Sequence, residues 1–121
     1  MKETTQIRKK SEMVQRPFSQ CHDGKGSIDW TEVLLNDRQP DRRLRYIHDD
    51  MIPPGASIGV HRHEADEEYY YIISGEGEMI LDGEAHAVSA GDITAVFPGG
   101  SHALMNTGQC DLRVLVINLS R

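Results

Sequence analysis

The chain has 121 residues, a length that fits one domain and leaves no room for a second core of normal size. Hydrophobic residues make up 38% of it and charged residues 26%, which is ordinary for a folded domain and too apolar for a wholly disordered chain. With 13 Lys and Arg against 19 Asp and Glu, the formal charge is −6, so nucleic acid and anionic membrane surfaces are not expected partners.

The pattern also argues against export or membrane insertion. Its longest apolar stretches span only a few residues, whereas a membrane-spanning helix needs about 20. Residues 1–10 are charged and lack the apolar stretch of a secretory signal, which predicts a cytoplasmic protein. Cys21 and Cys110 are too few for a disulfide framework and are expected to be unpaired thiols.

Strands and turns account for most of the chain. Residues 1–26 are polar and are predicted to form an N-terminal arm or lead-in, with a barrel over 27–121. Runs rich in Val, Ile, Leu and Tyr then recur between Gly, Pro, Asn and Asp clusters. They predict strands over residues 28–35, 43–51, 57–63, 68–74, 76–81, 84–88, 93–97, 102–106 and 112–119. Asp82 and Gly83 are typical of a two-residue hairpin turn of type I′.

Many short strands without helical crossovers predict an all-β fold, built as two packed antiparallel sheets or as a closed barrel. The inward face of the strand over 43–51 stays open, because Arg43 and Arg45 alternate with Tyr46 and His48. Arginines on the inner face would bind a carboxylate or phosphate, and surface ion pairs are the alternative.

Three histidines and one carboxylate form the main candidate site. His61 and His63 are two residues apart, so on a strand both project to one face. The connection over 64–67 is too short for a crossover, and we expect the next strand to return antiparallel and bring Glu68 beside both imidazoles. His102 follows a Pro-Gly turn and is the candidate third imidazole. The alternative to a metal site is that these residues form only a polar strand end and loop. Glu67 could replace Glu68 as the carboxylate only if the opposite face of that strand were inward.

Together these stretches resemble the two sequence motifs of the cupin superfamily. The first family motif is Gly, five residues, His-x-His, four residues, Glu, six residues and Gly, and it is matched by Gly55, His61, His63, Glu68 and Gly75. The second is Gly, five residues, Pro-x-Gly, two residues, His, three residues and Asn, and it is matched by Gly91, Gly99, His102 and Asn106. Phe97 stands where the family has Pro, a departure that concerns the shape of the loop.

The resemblance covers residues 40–119 and implies an antiparallel double-stranded β-helix, or jelly-roll barrel, that holds one divalent transition metal. Carried over by position, the ligands are His61, His63, Glu68 and His102. Such a donor set suits Mn, Fe, Ni or Zn, and the positions it leaves open on a six-coordinate ion are typical of a catalytic site. Small cupins commonly pair through a sheet, so a homodimer is also expected.

The intact ligand set favours an enzyme, because a binding barrel could lose a ligand without penalty, and the resemblance implies a family that includes dioxygenases, decarboxylases and isomerases. The expected substrate is a small oxygen-rich metabolite, a carboxylate or a sugar, with the metal as Lewis acid or dioxygen activator. Strand alternation from Glu68 places Tyr70 on the metal-facing side, as a proton carrier or as an ordinary core residue. The alternative function is a non-catalytic protein that holds a metal and a small molecule as a sensor or store.

Several other residues are predicted to be structural. His22, His48 and His86 match neither motif and are expected at the surface or in structural roles. Trp30 is expected to anchor the core or a subunit interface, and Asn106 to fix a turn.

Overall fold

A computed structural model describes residues 4–36 and 39–120. Its strands are β1 (Val14–Ser19), β2 (Ser27–Leu35), β3 (Leu44–Ile52), β4 (Ser57–Arg62), β5 (Asp66–Ser74), β6 (Glu76–Leu81), β7 (Glu84–Ser89), β8 (Ile93–Val96), β9 (Ser101–Asn106) and β10 (Leu112–Ser120). The helical segments of this part of the chain are two short turns, Lys10–Glu12 and Cys21–Asp23. Neither is long enough to span a membrane.

The strands form two antiparallel sheets, which confirms the predicted all-β jelly-roll class. The larger sheet has six strands in the order β1-β2-β3-β10-β5-β8, and the smaller has four in the order β4-β9-β6-β7. The expected hairpin between β4 and β5 is wrong, because β4 pairs with β9 and β5 pairs with β10 and β8. The short connection over 63–65 therefore crosses from one sheet to the facing one.

The core lies between the sheets and follows the alternation of each strand. In β10 every second residue from Leu112 to Asn118 is buried, and Leu112 and Val114 are fully buried. Ile72 of β5 and Leu104 of β9 are also fully buried and belong to the same apolar cluster. Each such side chain stabilises the fold by about 1.5–3 kcal/mol relative to exposure.

The β6–β7 hairpin shows how local sequence sets the register. Asp82 and Gly83 both have positive φ, 49° and 83°, as a type I′ turn requires. Leu81 and Glu84 consequently lie opposite each other at the end of the ladder. The predicted turn is confirmed.

Strand β1 was not predicted. All six of its residues are exposed, so it carries no apolar alternation for a sequence analysis to detect. It pairs antiparallel with β2 along its whole length, and the Arg16 guanidinium lies 4.6 Å from the centre of the Trp30 ring. Part of the predicted N-terminal arm thus extends the larger sheet, and the division of the chain at residue 26 stays a prediction.

The turn Cys21–Asp23 packs directly on β4. The backbones approach so closely that a Cβ on Gly59 would lie 2.0 Å from the His22 carbonyl oxygen. A Cβ on Gly24 would lie 2.2 Å from the Ser57 carbonyl oxygen. Ser57 also bonds Lys25, since its Oγ accepts from the Lys25 N–H at 2.9 Å. The turn is therefore held against β4.

Candidate metal centre

Two strands and one turn position the three motif histidines. His61 and His102 lie directly opposite each other in the β4–β9 ladder. His63 follows β4, where its N–H donates to the Gly100 carbonyl at 2.9 Å and its carbonyl accepts from the Gly99 N–H at 2.7 Å. The turn after β8 thus fixes the backbone of His63.

The four motif side chains converge on one point. Atoms from His61, His63, Glu68 and His102 all lie within 4.8 Å of one another. The His102 Nε2 is 2.9 Å from the Nε2 of His61 and 3.1 Å from that of His63. Glu68 Oε1, reaching across from the larger sheet, lies 3.2 Å from the His102 Nε2, 3.4 Å from that of His63 and 3.8 Å from that of His61.

These separations suit a shared cation. Two ligand atoms about 2.1 Å from one ion and at right angles to each other lie about 3.0 Å apart. Imidazole nitrogens with one carboxylate oxygen are typical donors for divalent transition metals. The donor set and its spacing are therefore compatible with a metal site, and they do not select one metal.

The outer ring nitrogens of two histidines are already bonded. His61 Nδ1–H donates to the Gly59 carbonyl at 2.9 Å, and His63 Nδ1–H donates to Asp66 Oδ1 at 2.8 Å. Each bond favours the tautomer in which Nε2 keeps its lone pair, because the ring proton is on Nδ1. Asp66 in turn accepts from Asn118 at 3.0 Å and from Arg45 at 3.3 Å.

Glu68 is held in place by its second oxygen. Its Oε2 accepts from the Tyr46 hydroxyl at 2.5 Å and from the Asn118 Nδ2 at 3.0 Å. Burial alone would raise the pKa of Glu68, but hydrogen bonds from His102, His61, His63 and Tyr46 outweigh it and hold that pKa well below its usual range. Glu68 is therefore an anion presented to the three imidazoles.

A cavity of about 280 Å³ opens beside Glu68 on the inner face of the larger sheet. Its polar lining comes from Cys21, His22, Tyr46, His48, Asp50 and Glu68. Tyr70, Trp30 and apolar side chains complete the wall. Among the described residues, no Lys or Arg lines this cavity. Most of its polar groups are neutral, since burial lowers the pKa of His48 to about 4 and raises that of Cys21 to about 11.

Sequence reasoning missed part of this lining. His22 and His48 were expected at the surface or in structural roles, but both line the cavity. His22 stacks on His61 with ring centres 3.7 Å apart, and His48 packs edge-on against Trp30 at 4.6 Å. Only the alternation of Tyr46, His48 and Asp50 along β3 carried a signal, and it left the inward face undecided.

The structure shows which face of β3 is inward and also bears on two smaller predictions. Arg45 pairs with Asp66 instead of lining the cavity, which supports the surface ion-pair alternative. Asn106 fixes a turn as predicted, since its Nδ2 donates to the Ile52 and Cys110 carbonyls at 2.8 Å each. Tyr70 is buried with its ring centre 4.5 Å from that of His102, on the expected side of β5.

A larger groove of about 650 Å³ lies elsewhere, on the outer face of the larger sheet. Val33, Met51, Ile73 and Leu115 line it, and none of the four convergent side chains reaches it. Size alone would select this groove, but the chemistry of the smaller cavity identifies the candidate site.

Two facing antiparallel sheets define a small β-barrel protein whose His-His-Glu-His cluster is compatible with a metal site. The chain matches the Cupin domain family over residues 50–118. It therefore belongs to the cupin domain family, as the two motifs implied.

Two of its similarities cover nearly the whole chain. It is 35% identical over 118 residues to an oxalate-binding protein of Thermotoga maritima, with 97% of both chains covered. It superposes with a TM-score of 0.88 on the crystal structure of a predicted oxalate decarboxylase from Thermotoga maritima, at 31% identity over 96% of this chain and 100% of the other. It also superposes on a cupin protein from Bacteroides fragilis with a TM-score of 0.63, at 29% identity over 74% of this chain and 75% of the other.

Proposed function

We propose that this cupin is metal-dependent and that His61, His63, Glu68 and His102 hold its ion. The observation that carries the proposal is the convergence of three imidazole Nε2 atoms and one carboxylate oxygen beside a cavity. A bound divalent ion would supply Lewis acidity toward an oxygen atom of the ligand.

We propose a small carboxylate of the oxalate type as the ligand. The cavity of about 280 Å³ is just below the usual range for ligand pockets, about 300–1,000 Å³, which favours a small molecule. Its hydroxyl, thiol and imidazole groups can donate hydrogen bonds to carboxylate oxygens. The similarity to an oxalate-binding protein and to a predicted oxalate decarboxylase supports the same ligand class.

The proposed reaction is decarboxylation. In the oxalate monoanion the C–C bond breaks, CO₂ leaves, and the carboxyl proton ends on the carbon of formate, so no external oxidant or reductant is consumed overall. We propose Tyr70 as the residue that holds a proton near the reacting carboxylate. Burial raises the pKa of Tyr70 well above its usual value, with Glu68 and Asp50 adding to the shift, so its hydroxyl stays protonated.

A second candidate function is binding without turnover. It is favoured by the similarity to a relative described by binding alone. Tyr70 also serves the core, since it is 3% exposed and belongs to the buried apolar cluster. Under this alternative the protein holds a metal and a carboxylate as a sensor or store.

The test begins with elemental analysis of protein purified without chelators, for the native chain, His61→Ala and His102→Ala. The matched control is His86→Ala, because the His86 side chain is 46% exposed and outside the site. We expect about one transition metal per native chain and per control chain, and loss of it from both site variants. No uptake of Mn(II), Fe(II), Ni(II) or Zn(II) by the native chain would contradict the proposal.

Turnover separates the two candidate functions. The metal-loaded protein is incubated with ¹³C-labelled oxalate, and formate and CO₂ are followed by NMR. Formation of both supports the enzyme, and Tyr70→Phe is then expected to lower kcat by about 100-fold while oxalate affinity stays within about threefold. Calorimetric binding of oxalate without product supports the binding protein.

The expected homodimer and cytoplasmic location remain predictions. Val33, Met51, Ile73 and Leu115 give the outer groove of the larger sheet an apolar surface on which a second copy could pack. Light scattering at several protein concentrations measures the mass directly, and a single 13.6 kDa species throughout would contradict the dimer.

A further inference from the structure

Asp50 stands out among the residues of the cavity. It lies on β3 opposite Trp30 of β2 and Val114 of β10, so both neighbouring strands enclose it. Asp50 is only 4% exposed, and its Oδ1 has no hydrogen-bond partner among the described residues. A buried polar atom without a partner is unfavourable and rare in folded proteins, so a ligand group is a natural partner for it.

The neighbour of Asp50 along the strand shows that the chain has ordinary uses for an aspartate. Asp49 points to the opposite face of the sheet, where its two oxygens accept from Arg113 at 3.0 Å and 2.6 Å. Among the described residues Asp50 has no such cation, and it lines the cavity together with Cys21, His48, Glu68 and Tyr70. The structure thus places one of two adjacent carboxyl groups where it does not serve an ion pair.

The protonation state of Asp50 fits a hydrogen-bond donor. Burial raises the pKa of Asp50 to about 8, with Asp49 and Glu68 adding to the shift. At neutral pH the group is therefore mainly a carboxylic acid, whose O–H can donate to an anionic oxygen. An ionised carboxylate at this position would instead repel a carboxylate ligand.

We infer that Asp50 is a specificity-determining residue, a buried carboxylic acid that donates a hydrogen bond to the second carboxylate of a ligand bound at the His-His-Glu-His cluster. The inference rests on the proposed function, and it narrows the ligand class from small carboxylates to dicarboxylates. A monocarboxylate such as acetate has no second group to meet Asp50.

The test compares Asp50→Asn, Asp50→Leu and the control Asp49→Asn with the native protein, all loaded with Mn(II). Metal content is measured first, and the affinities for oxalate and acetate are then measured by calorimetry. We expect full metal content throughout and a loss of about 10- to 100-fold in oxalate affinity for Asp50→Leu, as for a hydrogen bond to a charged group. Acetate affinity should change less than about threefold, because acetate has no second carboxylate to accept a hydrogen bond from Asp50.

The asparagine variant tests the chemistry of the group. Its amide N–H can donate in place of the acid, so oxalate affinity should stay within about threefold of native, as in the Asp49→Asn control. A loss in Asp50→Asn as large as in Asp50→Leu would overturn the donor role. Oxalate affinity retained by Asp50→Leu would overturn the inference alone and leave the proposed function intact.

Thermal unfolding of the metal-free variants supplies a readout that needs no ligand. Because Asp50→Leu removes a polar atom without a partner, its Tm should equal or exceed that of the native protein. A large fall in Tm for both Asp50 variants would show that the carboxyl group serves the fold and would overturn the inference. A native protein that binds metal but no oxalate overturns the proposed ligand and this inference together.

Discussion

The candidate site has two parts that differ in how they are built, a ligand side that meets the cavity at Glu68 and a β2–β3 side that forms part of the cavity wall. On the ligand side, His61, His63, Glu68 and His102 contact one another through polar atoms within 4.8 Å. On the β2–β3 side, Trp30, His48 and Asp50 are held by packing, with His48 stacked on Tyr46 and edge-on to Trp30. The ligand side carries an anion, and the β2–β3 side is neutral at pH 7.

Under the proposed function, the difference separates metal binding from ligand selection. A group that binds a cation must bring several donors to one point, and this requires the tight mutual spacing seen on the ligand side. A group that selects an anionic ligand needs donors without a competing negative charge, which the low-dielectric β2–β3 side supplies by keeping Asp50 protonated. We therefore expect substitutions on the two sides to have separable effects, first on the metal and then on the ligand.

The largest effect is expected for Glu68→Ala. It removes an anion that balances three imidazoles, leaves the Tyr46 hydroxyl without its acceptor and leaves Asn118 with Asp66 as its remaining acceptor. We expect metal affinity to fall by more than about 100-fold and the free energy of unfolding of the metal-free protein to fall by about 3 kcal/mol or more. Urea unfolding and metal titration measure these changes. Glu84→Ala is the control, because its side chain is 79% exposed and lies outside the site. Its unfolding free energy should stay within about 0.5 kcal/mol of native.

The next effect is expected for Gly59→Ala, which tests how the turn Cys21–Asp23 closes the cavity. The new Cβ would lie 2.0 Å from the His22 carbonyl oxygen and 2.8 Å from the Gly24 nitrogen, both backbone atoms that cannot move independently. We expect a loss of about 1–3 kcal/mol in unfolding free energy, measured by urea unfolding. The control Val60→Ala changes a side chain that is 64% exposed and should cost much less. Equal stability of both variants would show that the turn does not pack as described.

The third prediction concerns pH. The Asp50 pKa is 3.8 in the unfolded chain and about 8 in the fold, so its contribution to stability is complete below pH 3.8 and is lost as pH rises through 8. His48 acts oppositely, since its pKa falls from 6.5 to about 4, and its contribution is present above pH 6.5 and lost as pH falls through 4. Between pH 3.8 and 8, the unfolding free energy of the native protein should fall by up to about 1.4 kcal/mol per pH unit relative to that of Asp50→Asn. Urea unfolding at pH 4–9 measures the difference, and a pH-independent difference would contradict a raised pKa.

The smallest effect is expected for His22→Ala. His22 stacks on His61 at 3.7 Å and an interplanar angle of 11°, a contact worth about 0.5–1 kcal/mol. We expect metal affinity to fall less than about tenfold, because the His61 Nδ1 bond to Gly59 still orients the ring. Metal titration checks this, and a loss as large as that of Glu68→Ala would place His22 among the ligands.

The proximity of His61 and His63 could be predicted because its information is local, whereas the full ligand set came from the family resemblance and stays a prediction. Residue spacing placed His61 and His63 together, and turn residues placed the strand boundaries within about two residues. The route by which Glu68 reaches the histidines was predicted incorrectly, since β5 lies in the facing sheet. Facing sheets and a hairpin bring the same side chains together, so the motif alone does not distinguish them.

The β2–β3 side depended on tertiary structure. Its residues come from strands whose inward face is set by pairing with β10, more than sixty positions away from Asp50 in the chain. Alternation places His48 and Asp50 on one face of β3 and Ile47 and Asp49 on the other. Each face therefore carries an ionisable residue, so the residue types do not show which face is inward. The exposed strand β1 gave no periodic signal at all.

The position of β10 has a consequence for synthesis on the ribosome. This strand lies between β3 and β5 in the larger sheet, and its Asn118 donates to both Glu68 and Asp66. A nascent chain that has emerged only as far as β9 therefore exposes the unpaired edges of β3 and β5. It also lacks the hydrogen bond that Asn118 donates to Glu68. Such non-local pairing slows folding and leaves edges open to aggregation. Under the proposed function, metal binding should consequently follow release of residues 112–120 from the exit tunnel rather than accompany translation of the histidine motifs.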